Sequence, residues 1–147
     1  MANEIPNPEL YSGLSRKVLQ YSDRFRTLVT TLKQRPLTDD DWAPIEALVD
    51  VANFRRHGVF LGDLMEESTW AQYKAIINQY GAMTDWEGTL RRITETPGLV
   101  FLELEERNSR DGVMDVSNTV TIYQFNGDDK LVKLDVYVGP LGKRDIH

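Results

Sequence analysis

The chain contains no cysteine, which removes disulfides, zinc–thiolate sites, iron–sulfur clusters and thiol nucleophiles together. Histidine is nearly as scarce, His57 and the terminal His147 being the only two. No His-x-x-x-His or Glu-x-x-His pair supplies a metal-ligand spacing, so no metal is expected. A Gly-rich phosphate loop and a Gly-x-Ser-x-Gly elbow are both missing, which leaves nucleotide binding and serine hydrolysis without support. No apolar run approaches the roughly 20 residues that cross a bilayer, so no membrane partner is expected. Basic charge is in deficit as well: 17 Lys and Arg stand against 23 Asp and Glu, a net charge of -6 that offers little to a phosphate backbone and argues against nucleic acid. With no thiols to oxidise and no signal-peptide pattern, the expected home is a reducing cytoplasm.

What is present is a globular composition over 147 residues, 41% hydrophobic and 27% charged. A chain of this length buries roughly two thirds of its unfolded surface without staples. No internal repeat, low-complexity segment or long linker divides it, so residues 1–147 read as one domain. Asn7-Pro8 has the residue types of a helix start, and Leu14, Val18, Leu19, Phe25, Leu28, Val29 and Leu32 recur at helical spacing up to Pro36. This predicts an N-terminal helical extension over about residues 8 to 35. Thr38 opens a second helix whose first turn carries Asp39, Asp40 and Asp41, where negative charge meets the positive end of the helix dipole. Thr69 and Gln72 have the spacing of a capping box for a third, with Trp70, Tyr73, Ile76, Ile77 and Tyr80 as its stripe and Gly81 as its stop.

After Gly81 the apolar residues alternate between turn signals, the mark of strands. Trp86 to Thr94, Leu99 to Arg107, Val116 to Phe125 and Leu131 to Val138 are predicted strands, with Asn108 to Asp115 a polar loop. A short strand-like piece, Asn53 to Phe60, pairs most economically at the edge of the same sheet. About three helices segregated on one side of a curved, mostly antiparallel sheet make an α+β domain.

The order of helix, helix, short strand, helix and long meander resembles the nuclear-transport-factor-2-like superfamily, with its ketosteroid isomerases, scytalone dehydratases, limonene epoxide hydrolases and SnoaL-like cyclases. The resemblance covers about residues 38 to 139 and rests on Asp41-Trp42 through Asp50, Phe54-Arg55-Arg56-His57-Gly58, Gly98 to Glu103, and Tyr123 to Gly127 leading to Leu134-Asp135-Val136-Tyr137. It implies a cone-shaped fold enclosing a blind apolar pocket, a likeness to enzymes that need neither metal nor organic cofactor, and a homodimer. Chemistry in such a pocket is proton transfer, because a desolvated carboxylate or imidazole has its pKa moved toward neutrality.

The resemblance places His57 at the strand end where relatives carry a catalytic Asp, Asn or His, and Asp135 where several relatives place a pocket carboxylate. An aspartate in mid-strand also runs against β-propensity. Strand alternation leaves two registers open: His57 inward together with Arg55, or Phe54 and Arg56 inward instead. Asp135 has an equally plain reading beside Lys133 on a solvated face. Tyr123 and Tyr137 are candidate hydrogen-bond donors to a carbonyl or enolate, with Arg55, Phe54, Trp70, Tyr73 and Glu105 as candidate substrate contacts. Glu103, Glu105 and Arg107 share a strand face and are expected to pair with Arg91 or Arg92 in an exposed ladder. The resulting reading is a cofactor-independent isomerase, dehydratase, cyclase or lyase acting on a small hydrophobic oxygenated molecule. The alternative is a non-catalytic ligand-binding or dimerisation module of the same fold.

Overall fold

The computed structural model describes residues 4–58 and 67–146, so His147 and the last two residues of the predicted short strand lie outside it. The N-terminal helical region divides in two. A 3-10 turn, Pro8–Leu10, is capped by the Asn7 side chain, which accepts from the Glu9 amide at 2.9 Å. Helix α1 (Gly13–Leu32) then begins at a glycine with φ of +61°, a left-handed conformation that interrupts the single helix expected from the apolar spacing. Its first turn is fastened to the sheet, because the Ser15 amide and hydroxyl both donate to Glu95 Oε1, at 2.8 and 2.7 Å.

Those hydrogen bonds, chiefly from Ser15, hold the Glu95 carboxyl below the usual carboxylate range. A depressed folded pKa contributes stability above the unfolded pKa, and that contribution is lost as pH falls through the folded value. Glu95→Gln is therefore expected to melt below the parent at pH 7 and to match it in acid, as read by thermal denaturation across pH. A gap of constant size at every pH would contradict this.

Helix α2 (Asp39–Glu46) carries the expected capping box between Thr38 and Asp41. Arg35 grips Asp41 through two hydrogen bonds of 2.7 and 2.8 Å, and together with Thr38 holds that carboxyl well below the usual carboxylate range. Helix α3 (Trp70–Tyr80) starts at the Thr69/Gln72 box and stops at Gly81.

Six strands form one open, curved sheet: β1 (Arg55–Gly58), β2 (Glu67–Thr69), β3 (Asp85–Thr96), β4 (Leu99–Arg110), β5 (Val113–Phe125) and β6 (Leu131–Asp145). Their spatial order is β2-β1-β6-β5-β4-β3, with β1 and β6 parallel and the other neighbours antiparallel. Three features differ from the sequence reading. The short strand β1 lies one place in from the edge, because β2, too brief to show alternation, pairs outside it. The polar stretch after Arg107 continues the β4–β5 hairpin, which turns at Asp111-Gly112, both at positive φ. Strand β6 passes through Gly139-Pro140 to Asp145 by means of a bulge opposite Val116/Ser117. Pro140 is tolerated because β1 pairs β6 only over residues 133–136, so beyond them β6 has no partner on that side among the described residues.

The core lies between the three helices and the concave face of the sheet, and aromatic rings dominate it. Trp70 packs edge-on against Trp42 and Phe54, at ring centroid separations of 5.9 and 5.0 Å. Its indole Nε1 donates to Glu46 at 2.7 Å, and Lys74 reaches the same carboxylate at 3.1 Å. No helix among the described residues is long and apolar enough to cross a membrane.

Candidate active site on the concave face

The pairing registers divide the sheet residues between two faces. Arg56 is opposite Leu134, Leu134 opposite Tyr123 and Tyr123 opposite Val100, a row that faces the helices. One residue along, His57 is opposite Asp135, Asp135 opposite Ile122 and Ile122 opposite Phe101, a row on the convex side. Because side chains alternate with period two, burying Phe54 at the mouth of β1 sends Arg56 inward with it and turns Arg55 and His57 outward. The second of the two registers open in the sequence is the one adopted.

The concave row carries a polar cluster in an otherwise apolar interior. Arg56 is 9% exposed, its guanidinium carbon lies 5.5 Å from the Tyr73 ring centre, and it donates a hydrogen bond to the Tyr73 hydroxyl. Tyr21 from α1 meets Tyr123 edge-on at 6.0 Å, and Phe25, one turn further along the helix, stacks on Tyr73 at 6.1 Å. Glu106 follows Leu102 and Leu104 on the inward face of β4, and Trp86 Nε1 donates to its Oε1 at 2.6 Å. Burial pushes the hydroxyls of Tyr21, Tyr73 and Tyr123 above the usual phenol range. The neighbouring phenol and Glu106 add to the rise at Tyr123, while Arg56 opposes it. All three phenols thus stay protonated through neutral pH and act as hydrogen-bond donors.

Trp86 is held over Glu106 by the absence of a side chain beneath it. A Cβ on buried Gly88 would sit 2.7 Å from Trp86 Cη2 and 3.2 Å from Ile5 Cδ1. Ile5 is delivered there by the N-terminal segment, whose Glu4 pairs with the outer edge of β3 at Gly88 and Leu90. Gly88→Ala is expected to displace the indole from Glu106 at a cost of about 1–3 kcal/mol. A shift in tryptophan emission and a lower melting temperature would report it, whereas an unchanged spectrum and melt would refute it.

The remaining predicted site residues fall elsewhere. His57 and Asp135 do come together, but on the convex face: His57 Nε2 is 2.6 Å from Glu67 Oε2 and Nδ1 is 3.5 Å from Asp135 Oδ1. Arg55 joins Glu67 at 3.7 Å and Lys133 joins Asp135 at 3.7 Å, so five charged or titratable side chains occupy one patch of β1, β2 and β6. Tyr137 shares that face, 61% exposed, and does not meet Tyr123, which points the other way. Phe54 and Trp70 are enclosed in the aromatic core, and only Tyr73 of the expected aromatic contacts reaches the polar cluster. Glu105 pairs with Arg91 at 2.7 Å and with Arg107 at 2.9 Å, while Glu103 pairs with Arg92, which is the cross-strand ladder expected. Arg107 departs from that expectation, being 1% exposed beside Glu87 and Glu105.

Among the described residues no group of three His, Cys, Asp or Glu is arranged to hold a metal ion. A hollow of about 330 Å³ lies between the N-terminal segment and α1, lined in part by Ile5, Pro8, Leu19 and Arg26. Another of about 190 Å³ lies by Lys33, Met83 and Arg110. Neither of these two hollows is lined by Arg56, Tyr73, Glu106 or Tyr123. Glu106, Tyr21 and Trp86 are the cluster members that sequence reasoning did not select, and Arg56 entered it only through the second of the two registers. The signal for Glu106 is the alternation Leu102, Leu104, Glu106, which sets a carboxylate on a buried face.

No protein-family model and no curated protein matches the chain. Solved structures do. An NTF2-like protein of unknown function from Burkholderia pseudomallei K96243 superposes with a TM-score of 0.63 at 12% identity, covering 86% of this chain and 91% of its own. An NTF2-like protein from Anabaena variabilis ATCC 29413 gives 0.61 at 15% identity, covering 88% and 95%. An LEH-like epoxide hydrolase from M. tuberculosis gives 0.53 at 8% identity, covering 81% and 82%. At these identities the likeness concerns the path of the backbone, and on that ground, with the α+β layering and strand order above, the chain has the nuclear-transport-factor-2-like fold.

Proposed function

We propose that the chain is a cofactor-independent acid–base enzyme, an isomerase, dehydratase, cyclase or lyase, acting on a small hydrophobic oxygenated molecule at the concave face. The observation that carries this reading is the cluster of Arg56, Tyr73, Tyr123 and the Trp86-held Glu106 inside an aromatic interior. Fold alone fixes no reaction, so the argument is the chemistry of these groups. Glu106 takes a proton from a carbon beside a carbonyl. The C–H electron pair becomes the new carbon–carbon π bond, and the carbonyl π pair moves onto oxygen to give an enolate. Tyr73 and Tyr123 donate to that oxygen, and Arg56, donating to Tyr73, makes its phenol the stronger donor. Return of the proton to another carbon isomerises the substrate, expulsion of a β-hydroxyl as water dehydrates it, and attack on a second carbonyl cyclises it. Each step moves protons and electron pairs that the substrate and these side chains already hold. The LEH-like epoxide hydrolase among the structural neighbours supports small-molecule chemistry in this fold.

The test is incubation in D2O with a panel of small ketones, enones and β-hydroxyketones, followed by NMR. Deuterium entering α positions faster than in buffer alone is the expected result. No acceleration across the panel would count against the enzyme reading and leave the module of the same fold.

Self-association is part of the proposal. On the convex face Phe101, Val120 and Ile122 are only half-buried and Tyr137 is exposed, although strand alternation makes this an apolar row. A second copy packed there would cover it. Sedimentation is expected to give twice the chain mass of 16.9 kDa, with Tyr137→Glu shifting it toward one. A wild-type chain that sediments as a monomer at all concentrations would remove the dimer.

A further inference from the structure

We infer that the ligand of the concave face carries a carboxylate, held by Tyr21 and Arg56. This rests on the reading of that face as the reactive site and narrows its substrate to a small hydrophobic oxo acid, with the acid group as anchor and the carbon beside the carbonyl presented to Glu106.

The starting observation is a buried hydroxyl that lacks an aligned hydrogen bond among the described residues. Tyr21 is 5% exposed, and its Oη ends beside the Tyr73 hydroxyl without an aligned hydrogen bond among the described residues. Buried polar atoms are nearly always satisfied, and leaving one unmade is expensive, so a phenol kept in this state marks a place where an acceptor arrives. Thr119, opposite Leu104 on the same inward face, has a second buried hydroxyl without a hydrogen bond among the described residues. Both belong to a surface rich in donors, namely the Arg56 guanidinium, three protonated phenols and Thr119. The carboxylate found among them in the described residues, Glu106, already accepts from Trp86.

The acceptor that suits this surface has negative charge and more than one oxygen. Arg56 is a cation whose planar fork matches the two oxygens of a carboxylate. A dianionic phosphate fits less well, because Glu106 places like charge nearby and the surroundings are aromatic rings: Tyr21 stacks on Phe25, and Phe25 on Tyr73. Those rings favour a body that is itself apolar.

The probes are 3-phenylpropionate, its neutral amide 3-phenylpropionamide, and 4-phenylbutan-2-one, titrated against the full chain at pH 7 by NMR. The acid is expected to bind at least ten times more tightly than either neutral compound. Tyr21→Phe is expected to weaken the acid at least fivefold and leave the neutral compounds unchanged. Its melting temperature without ligand should change little, since the deleted hydroxyl has no aligned hydrogen bond to lose among the described residues. Arg56→Lys, which keeps the charge and loses the fork, should fall between the two. Equal binding of acid and amide, acid binding indifferent to Tyr21→Phe, or no acid binding at millimolar concentration would each overturn the inference. Deuterium exchange into the ketone without any preference for the acid would overturn the anchor while leaving acid–base catalysis standing. Acid binding at Tyr21 and Arg56 without exchange would support the anchor and defeat the enzyme reading.

Discussion

Glu106→Gln is expected to slow deuterium exchange into an accepted ketone by about 10²–10⁴-fold, the range for loss of a positioned general base. The substitution is close to isosteric, and the Gln carbonyl still accepts from Trp86 Nε1, so tryptophan emission and melting temperature should stay near those of the parent. What it removes is the capacity to hold a proton. Rates within twofold of the parent, in a variant that melts normally, would show that the base is another group.

Trp70→Ala carries the largest expected effect on stability, about 3–5 kcal/mol by urea denaturation. The indole is 2% exposed and forms edge-on pairs with Trp42 and Phe54, so its removal leaves a cavity that two other large rings cannot easily close. It also withdraws a donor from Glu46, which among the described residues keeps Lys74. Because Trp70 opens the helix that carries Tyr73, less than one turn later, the loss should also loosen the contact between Tyr73 and Arg56. Trp70→Phe, which refills much of the volume, should recover part of the stability. A cost below about 1 kcal/mol for the alanine variant would mean that α3 is docked by other contacts.

These two residues also show what the sequence made legible. Trp70 follows a capping box on a helical stripe, a local signal that needs no knowledge of the rest of the fold; helices α2 and α3 begin where their caps say, and α3 ends at Gly81. The long strands were visible through alternation, and their ends were not, because a hairpin turning at Asp111-Gly112 and a bulge at Leu141 let pairing continue through residues that ordinarily break it. Strand faces were legible only as alternatives. His57 and Arg56 are neighbours, and which of them meets the interior depends on the parallel register between β1 and β6, a pairing across nearly 80 residues. Once that register places Arg56 opposite Leu134, the convex position of His57, Asp135 and Arg55 follows from the pleat alone. Alternation in β5 did not settle the side of Tyr123 either, because Val120 and Ile122 form an apolar row on the opposite face, and only the pairing with Leu134 and Val100 sets it inward. Tyr21 went unselected because a tyrosine on an apolar helical stripe is read as packing, and its unsatisfied hydroxyl exists only in three dimensions.

Two assignments of the proton-transfer base therefore stand on opposite faces of one sheet: Glu106 among the phenols, and the His57–Asp135 pair beside Glu67. Deuterium exchange into one accepted ketone, measured side by side for Glu106→Gln and for the double variant His57→Ala/Asp135→Ala, separates them. With chemistry on the concave face, the first loses about two orders of magnitude or more while the second stays within a few fold of the parent. The reverse pattern, exchange surviving Glu106→Gln and vanishing with His57 and Asp135, would move the active site to the convex face.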